Sequence, residues 1–279
     1  RVNLGVGVYQ DSSGKVPILN SVHIAEERLL PSEPTKSYIP IDGAPNYNSA
    51  VKALLFGEGS DVITEGRCLT VQALGGTGAL KIGADFLKRF FAEADVYIST
   101  PSWENHRALF ESAGLNVKAY RYYDSDTKSL DFDGMCKDLL AIPSGSVVLL
   151  HACCHNPSGV DLEPGNWQAV VDICRDRGLI PFLDFAYQGF GEGINEDACA
   201  VRTFAASGLQ FLIANSFSKS FSLYRERVGA LTIVTSDAEE ATRLLSQVKR
   251  VIRTNYSSPA SHGGQVVAII LNDESLCAS

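Results

Sequence analysis

The sequence predicts an α/β fold with a mainly parallel sheet of seven strands flanked by helices. From about residue 68 onward, short apolar runs alternate with amphipathic stretches, which is the pattern of parallel strands joined by covering helices. The chain can also bury a large core, since 45% of its 279 residues are hydrophobic and only 11 are proline. We therefore expect one large folded domain rather than a disordered chain.

The apolar and amphipathic runs place the individual elements. The predicted strands are Leu69 to Ala73, Val96 to Ser99, Val117 to Tyr120, Val147 to His151, Ile180 to Asp184, Phe211 to Asn215 and Ala230 to Val234. The predicted helices are Thr77 to Phe91, Glu104 to Ala113, Phe132 to Leu140, Gly165 to Arg177, Ala198 to Ala206, Asp237 to Arg253 and Gly264 to Leu271. Thr77 and Asp237 are expected to cap their helices, because their side-chain oxygens can accept a free N–H group.

The composition argues against several classes of partner. The net charge of -8 is spread over both halves without a basic cluster, so no nucleic-acid partner is expected. No apolar stretch approaches the roughly 18 residues needed to cross a bilayer, so we expect no membrane association and a cytoplasmic location. The seven cysteines include no CxxC motif, and Cys153 and Cys154 are adjacent, which favours reduced thiols and no metal site.

Both ends of the sequence look cut. The chain begins at Arg1 without a methionine and enters directly on the apolar run from Val2 to Val8. The helix predicted for Gly264 to Leu271 is followed by only a few residues before Ser279. We expect the chain to be a fragment of a longer protein.

The residues that follow each strand are the first candidates for a binding site, because open sheets of this type bind ligands beyond the carboxyl ends of their strands. Gly75, Gly76 and Thr77 lie between a strand and a helix, where free N–H groups and the helix dipole favour a phosphate. A plain glycine-rich connector is the alternative interpretation. The glycine patterns of ATP and NAD sites are incomplete here, which argues against both ligands.

A lysine and an arginine follow the sixth predicted strand. Ser216, Ser218 and Lys219 place two hydroxyls and an amine on one turn, where they could bind a phosphate and form a Schiff base with an aldehyde. Arg227 can bind a phosphate with both arms of its guanidinium group. The alternatives are a solvated lysine and a simple ion pair between Arg227 and Glu226.

Polar side chains lie at two further strand ends. Asp184 could pair with the protonated nitrogen of a pyridine ring, which needs a carboxylate to stay charged, or it could be only a helix cap. Tyr187 lies close behind it, and Asn156 follows the preceding strand. These residues predict a polar rim at the same edge of the sheet.

One aromatic residue and two histidines complete the candidates. Trp103 offers a flat surface for stacking on a ring, although a tryptophan is often only part of the core. His106 or His151 could orient Asp184 by a hydrogen bond, although either could be purely structural.

Taken together, these motifs resemble the fold-type I, pyridoxal-phosphate-dependent aminotransferases of class I, in the subgroup that acts on aspartate and aromatic amino acids. The resemblance extends over nearly the whole chain and looks closer to the bacterial aromatic branch. Chance agreement of all the matching segments in one order is implausible. These segments are Val2 to Tyr9, Tyr38 with Ile41 to Gly43, Gly75 to Leu80, Pro101 to His106, His151 to Gly159, Asp184 to Gly189, Ser216 to Gly229 and Arg253 to Pro259.

The resemblance implies a role for each pocket residue. Lys219 would hold pyridoxal phosphate through a Schiff base and move the proton during transfer. Asp184 would pair with the ring nitrogen. The other implied contacts are Tyr187 and Asn156 at the phenolic oxygen, Trp103 and Ala186 on the ring faces, and Gly75, Gly76, Thr77, Ser216, Ser218 and Arg227 at the phosphate.

The resemblance also implies a homodimer with shared active sites. Tyr38 would reach the phosphate in the neighbouring subunit, and Arg253 would reach the distal carboxylate of that subunit's substrate. Gly7, Trp103 and Asn156 would contact the amino acid and 2-oxo acid substrates as well.

By the same resemblance, residues 1–17 are a strand-like segment of a small domain and residues 18–279 form the large cofactor-binding domain. The rest of the small domain is absent, together with the arginine that binds the substrate's α-carboxylate. Ala260 stands where the family usually has a second proline after Pro259. The bonds Thr100-Pro101 and Asn156-Pro157 are expected to be cis.

The predicted function is therefore ping-pong transfer of the amino group of aromatic amino acids and aspartate to 2-oxoglutarate through Lys219. A strict aspartate aminotransferase, or a decarboxylase or lyase of the same fold, is the alternative that keeps the pocket. A cofactor-binding protein without turnover and a nucleotide-dependent dehydrogenase are alternatives from other classes. The presence of Lys219, Asp184 and Arg227 argues against the former, and the incomplete glycine pattern against the latter.

Overall fold

The computed structural model describes residues 7–32 and 35–277, and its centre is a sheet of seven strands. The order across this sheet is β1-β9-β8-β7-β6-β2-β3, and a separate hairpin pairs β4 with β5. All seven predicted strands are confirmed within two residues at each end. The strands are β1 Cys68–Leu74, β2 Asp95–Thr100, β3 Asn116–Arg121, β4 Tyr123–Asp124, β5 Ser129–Leu130, β6 Val147–His151, β7 Ile180–Phe185, β8 Phe211–Ser216 and β9 Val228–Val234.

One strand of the large sheet runs against the other six. β9 pairs antiparallel with both β1 and β8, whereas the pairs from β8 to β3 are parallel. The start of β9 therefore lies beside the ends of its neighbours, with Gly229 opposite Ser216 and Val228 opposite Leu74. This reversal brings residues that precede β9 to the edge where the other strands end.

Helices cover both faces of the sheet, and each layer encloses its own part of the core. Along β8, Ile213 packs into one hydrophobic cluster and Leu212 into the other, because successive side chains of a strand point to opposite faces. One layer contains α1, α2, α6, α7, α8 and α10, and the other contains α4, α5 and α9. The helices are α1 Asn20–Leu29, α2 Pro45–Phe56, α3 Asp61–Thr64, α4 Gly75–Phe90, α5 Glu104–Ser112, α6 Phe132–Ala141, α7 Asn166–Arg177, α8 Cys199–Ala206, α9 Ala238–Asn255, α10 His262–Leu271 and α11 Glu274–Cys277.

The seven predicted helices are confirmed, but the prediction for the cap at Thr77 is wrong. α4 begins at Gly75, so Thr77 lies within its first turn and the cap position is Leu74, which makes no side-chain capping bond. Asp237 does cap α9, since its Oδ1 accepts from the N–H of Glu240 at 2.7 Å. The strand end and the helix start are thus fused at the glycine pair, without a connecting loop.

The helices before residue 68 were not predicted, although signals for them are present. α2 begins with Pro45 at its first position, where proline is favoured because its missing N–H is not needed. In α1, Val22, Ala25 and Leu29 are buried at helical spacing.

The N-terminal segment differs from its prediction. Residues 7–19 contain neither helix nor strand, so the strand-like character expected up to residue 17 is wrong for them. The first part of that segment, residues 1–6, lies outside the described residues. Among the helices that the structure describes, none is long and apolar enough to cross a membrane.

Candidate active site

A cavity of about 350 Å³ lies where the strands of the sheet end. Three predicted site residues, Gly75, Tyr38 and Arg253, are not among those that line it. The lining residues are Gly7, Gly76, Thr77, Leu80, Trp103, His151, Cys153, Asn156, Asp184, Ala186, Tyr187, Ser216, Ser218, Lys219, Tyr224 and Arg227. Every other predicted site residue is thus brought to one place.

One end of the cavity concentrates hydrogen-bond donors and positive charge. The first turn of α4 leaves free N–H groups at the positive end of the helix dipole. Nη1 of Arg227 donates to Oγ of Ser218 at 3.2 Å. Gly75, with φ of +70°, packs behind Arg227, and a Cβ there would lie 2.6 Å from Nη2 of Arg227. The left-handed backbone at this position favours glycine, and the whole arrangement is suited to a phosphate.

Arg227 is held in this position by its own backbone as well. Its φ is +53°, a left-handed conformation that a residue with a side chain adopts at a cost. Nη1 also donates to the carbonyl oxygen of Tyr224 at 2.9 Å. Among the described residues, the guanidinium group forms no ion pair with Glu226, which removes the simpler sequence interpretation.

The cavity is also lined by a buried carboxylate that is held by a histidine. Oδ2 of Asp184 and Nε2 of His106 are 2.8 Å apart, and both side chains are buried. Oγ of Ser102 contacts Nδ1 of His106 at 2.9 Å and Nε2 of His151 at 3.3 Å. Of the two histidines considered from the sequence, His106 contacts Asp184 directly. His151 is connected to His106 through the hydroxyl of Ser102.

This network keeps Asp184 ionised. Burial by itself works to raise the pKa of Asp184, but the hydrogen bond with His106 and electrostatic interactions with His106, His151 and Lys219 outweigh it, so the pKa is lowered. Burial, with repulsion from His155, lowers the pKa of His151 to about 3. A neutral His151 and a charged Asp184 therefore coexist at pH 7.

The amine of Lys219 lies close enough to both Asp184 and Arg227 for their charges to act on its pKa. Its Nζ is 4.7 Å from the centre of the Tyr187 ring. Burial and the charge of Arg227 lower the pKa of Lys219, although Asp184 opposes the change. A lowered pKa makes more of the uncharged, nucleophilic amine available near neutral pH.

Tyr187 and Asn156 both line the cavity and form a hydrogen-bonded pair. Burial, the charge of Asp184 and that of Cys154 raise the pKa of the Tyr187 phenol, and a hydrogen bond with Asn156 opposes this change. The phenol is thus a hydrogen-bond donor at pH 7. Trp103 lines the cavity too, with its ring edge-on to His106 at 5.2 Å between centroids.

Two of the three predicted residues that do not line the cavity, Tyr38 and Arg253, also make no contact with its lining residues among the described hydrogen bonds. The Tyr38 side chain is 93% exposed, and Nη1 of Arg253 donates to Oγ of Ser257. Neither reaches the cavity of its own chain.

Sequence reasoning missed three residues that line the cavity. Leu80 lies one helical turn after Gly76 and so faces the same way, which was a readable signal. Cys153 and Tyr224 lie within matching segments, but nothing in their residue type indicated a position at the cavity. The peptide bonds Thr100-Pro101 and Asn156-Pro157 are both cis, as predicted.

Comparisons with known proteins agree with this site. The whole chain, residues 1–279, matches the family described as aminotransferase class I and II. It is 56% identical to the aspartate aminotransferase of Pseudomonas aeruginosa, over 100% of this chain and 70% of that protein. It is 56% identical to an aromatic-amino-acid aminotransferase from Burkholderia pseudomallei, solved covalently bound to pyridoxal phosphate, with a TM-score of 0.97 over 99% of this chain and 69% of that one.

A further solved structure is that of a psychrophilic aromatic amino acid aminotransferase from Psychrobacter, cocrystallised with aspartic acid. It is 44% identical and has a TM-score of 0.97, covering 100% of this chain and 70% of that one. The chain belongs to the class I and II aminotransferases. It is a transferase of amino groups, and its cofactor is pyridoxal phosphate.

The described residues fit this cofactor. The glycine pair, Ser218 and Arg227 form an anion site beside the cavity, and Asp184 supplies an ionised carboxylate to the same cavity. Lys219 lies within the same cavity. When bound, pyridoxal phosphate supplies an aldehyde that takes up the amino group and a pyridinium ring that draws electrons from the substrate's α carbon.

Proposed function

We propose that this enzyme transfers the amino group of aspartate and of aromatic amino acids to 2-oxoglutarate, with Lys219 as the residue that holds the cofactor and moves the proton. One observation carries the proposal: the Lys219 amine, the ionised Asp184 and the Arg227 anion site share one cavity of about 350 Å³.

The roles of the pocket residues follow from their surroundings. Nζ of Lys219 is the base that removes the α proton, because its lowered pKa makes more of its uncharged form available. Asp184 keeps a proton on the ring nitrogen. His106 orients Asp184 and keeps it charged. Tyr187 and Asn156 donate hydrogen bonds to the cofactor's phenolic oxygen.

The range of substrates is supported by two kinds of relative. The similar proteins include an enzyme described as an aspartate aminotransferase and another described as an aromatic-amino-acid aminotransferase. An aromatic amino acid aminotransferase of the same fold was cocrystallised with aspartic acid, which supports a dual substrate range. For this chain we propose Arg253 as the partner of a distal carboxylate, and Gly7, Trp103 and Asn156 as further substrate contacts.

Purified enzyme given aspartate, tyrosine or phenylalanine with 2-oxoglutarate tests the substrate range. We expect amino transfer from all three donors. The transfer is measured by the change in cofactor absorbance and by the amount of 2-oxo acid formed. Transfer from aspartate alone would identify a strict aspartate aminotransferase, and release of carbon dioxide from aspartate would identify a decarboxylase.

We also propose that the enzyme is a homodimer in which each active site uses residues of both subunits. The support is the position of Tyr38 and Arg253, which are exposed and do not line the cavity of their own chain. A second copy related by a two-fold axis would place each chain's outward residues against the other chain's cavity. We expect the dimer to work in the cytoplasm, where its thiols stay reduced, and cell fractionation tests this location.

A mixing experiment tests the shared site. Lys219→Ala subunits are expected to be inactive, and Arg253→Leu subunits are expected to keep only a small residual activity with aspartate. In a mixed dimer, Lys219 of one subunit and Arg253 of the other complete one intact site. Equal mixing after subunit exchange should therefore restore about a quarter of the wild-type activity with aspartate. No restoration, although mixed dimers form, would show that both residues serve the same subunit's site.

A further inference from the structure

Gln72, a buried residue of β1 outside the cavity, contacts both segments that we assign to the neighbouring active site. Its side chain is 2% exposed. Its backbone N–H donates to the carbonyl oxygen of Asp42 at 2.9 Å, four residues after Tyr38. Its Nε2 donates to the carbonyl oxygen of Ala260 at 2.7 Å, seven residues after Arg253.

The segment after Arg253 is tied to Gln72 at a second point. The hydroxyl of Tyr256 donates to the carbonyl oxygen of Gln72 at 2.9 Å. Lys249, one helical turn before Arg253, pairs with Asp42 at 3.1 Å, so the two segments are also joined to each other. The segment of residues 38–43, which follows Tyr38, and the segment of residues 253–260, which follows Arg253, thus both contact Gln72.

Glycines allow both neighbours to approach the Gln72 side chain closely. A Cβ at Gly43 would lie 2.4 Å from Cβ of Gln72, and a Cβ at Gly264 would lie 2.6 Å from its Nε2. Gly43 also has φ of +96°. The loop after Tyr38 and the start of α10 therefore pack directly on this side chain, and its size sets how they lie.

The amide of Gln72 is only half satisfied. Its Oε1 is buried and has no hydrogen-bond partner among the described residues. A buried oxygen without a partner is unfavourable, and an apolar side chain of similar length would fill the same space without it. What the amide adds is its bond to Ala260, at the end of the segment that carries Arg253.

We propose that Gln72 is a positioning residue for substrate selection. Its amide fixes the segment of residues 253–260, so that the Arg253 guanidinium can meet the distal carboxylate of the substrate in the neighbouring subunit. The inference rests on the proposed role of Arg253. It predicts that the side-chain amide of Gln72 matters for dicarboxylic ligands and not for aromatic ones.

The test compares binding of succinate, a dicarboxylate, with that of 3-phenylpropionate, an aromatic monocarboxylate, to the cofactor-loaded enzyme. Neither ligand has an amino group, so a spectral or calorimetric titration measures binding without turnover. Gln72→Met keeps the volume and removes the bond to Ala260. We expect this variant to bind succinate about three- to tenfold more weakly, which corresponds to the loss of one hydrogen bond. Its affinity for 3-phenylpropionate should change by less than about twofold.

A matched control lies on the same strand. Thr70 is also buried, and its hydroxyl contacts only the hydroxyl of Thr232 among the described hydrogen bonds. Thr70→Val should disturb the strand to a similar degree and leave the ratio of the two affinities unchanged.

Gln72→Glu provides a test within a single folded protein. Burial raises the pKa of a carboxyl at this position, so its neutral form can donate to Ala260 at low pH. As the pH rises the group ionises, and its oxygens then repel the carbonyl oxygen of Ala260. Succinate should bind this variant as well as it binds the wild type at low pH, and progressively less well than the wild type as the pH rises.

Two results would overturn the inference. One is an equal loss of affinity for both ligands in Gln72→Met, and the other is an unchanged affinity of this variant for succinate. If Arg253→Leu weakens succinate while Gln72→Met does not, Gln72 is not the positioning residue and the proposed function stands. If Arg253→Leu leaves succinate binding unchanged, the assignment of Arg253 itself is wrong.

Discussion

The cofactor cavity and the outward-facing pair of Tyr38 and Arg253 are built in opposite ways. Asp184 is 8% exposed and is held by a buried histidine, whereas Tyr38 is 93% exposed. In the cavity, residues from distant parts of the chain converge because parallel strands end at one edge. The outward pair is exposed and does not line the cavity at that edge. The residues described around the cavity all come from one chain, and we propose that the outward pair acts only where a second chain is present.

This difference predicts two kinds of mutational effect. Substitutions in the cavity should affect every substrate, since all substrates need the same proton transfer. Substitutions in the outward pair should have smaller and more selective effects, because we propose that each of the two residues contacts only one group of one ligand.

Lys219→Ala should have the largest effect. It removes both the covalent attachment and the base, so activity with every donor should fall by more than about 10⁴-fold. Lys137→Ala, an exposed lysine on α6, is the control and should be fully active. Borohydride reduction followed by peptide mapping should place the cofactor on Lys219; an adduct on another lysine would contradict the assignment.

Asp184→Asn should reduce activity on the order of 10³-fold with aspartate and phenylalanine alike. An amide has the size of the carboxylate but cannot keep the ring nitrogen charged. Cofactor content, measured by absorbance, separates this loss from a loss of binding. Strongly unequal losses for the two donors would show that Asp184 also reads the substrate side chain.

Arg253→Leu should separate the two substrate classes. Leaving a carboxylate without its partner costs a few kcal/mol, so kcat/KM for aspartate should fall by roughly 30- to 1000-fold, with a much smaller change for phenylalanine. Arg250→Leu, one turn earlier on the same helix and exposed, is the matched control. Equal losses for both donors would remove the basis for dual specificity through Arg253.

Tyr38→Phe should act on the cofactor alone. Losing one hydrogen bond to a charged phosphate should weaken cofactor binding by roughly 10- to 100-fold, and turnover at saturating cofactor should change little. Equilibrium dialysis of the cofactor gives the affinity. An unchanged affinity in a protein that is still dimeric would argue against a cross-subunit phosphate contact.

The smallest expected effect is a change of pH dependence in His106→Leu. The hydrogen bond with His106 opposes the effect of burial on Asp184, so its loss should raise the pKa of that carboxyl. Asp184 is active when ionised, above its pKa, so the acid limb of the pH–rate profile should move to higher pH. His106→Gln, which can still donate a hydrogen bond, should show less of this change. Identical profiles for wild type and His106→Leu would contradict the orienting role.

Much of the cavity was predictable because its residues follow strands that the sequence marks clearly. Lys219, Asp184 and Asn156 each come just after an apolar run, and parallel strands bring such positions to a common edge. Arg227 was identified by its residue type and its distance from Lys219, but its place at that edge depends on the reversal of β9. The distinction between His106 and His151 was left open, because it depends on which imidazole the fold brings within 2.8 Å of Asp184.

The sequence alone determined the order of strands and helices along the chain, since their periodicity is local and each run carries its own signal. It also determined the chemical types of the pocket residues. Only the tertiary structure decided which groups meet: the fusion of β1 with α4 at Gly75, the left-handed backbone of Arg227, and the convergence of two segments on Gln72. These features depend on pairs of residues far apart in the chain, and a one-dimensional pattern contains no distance between them.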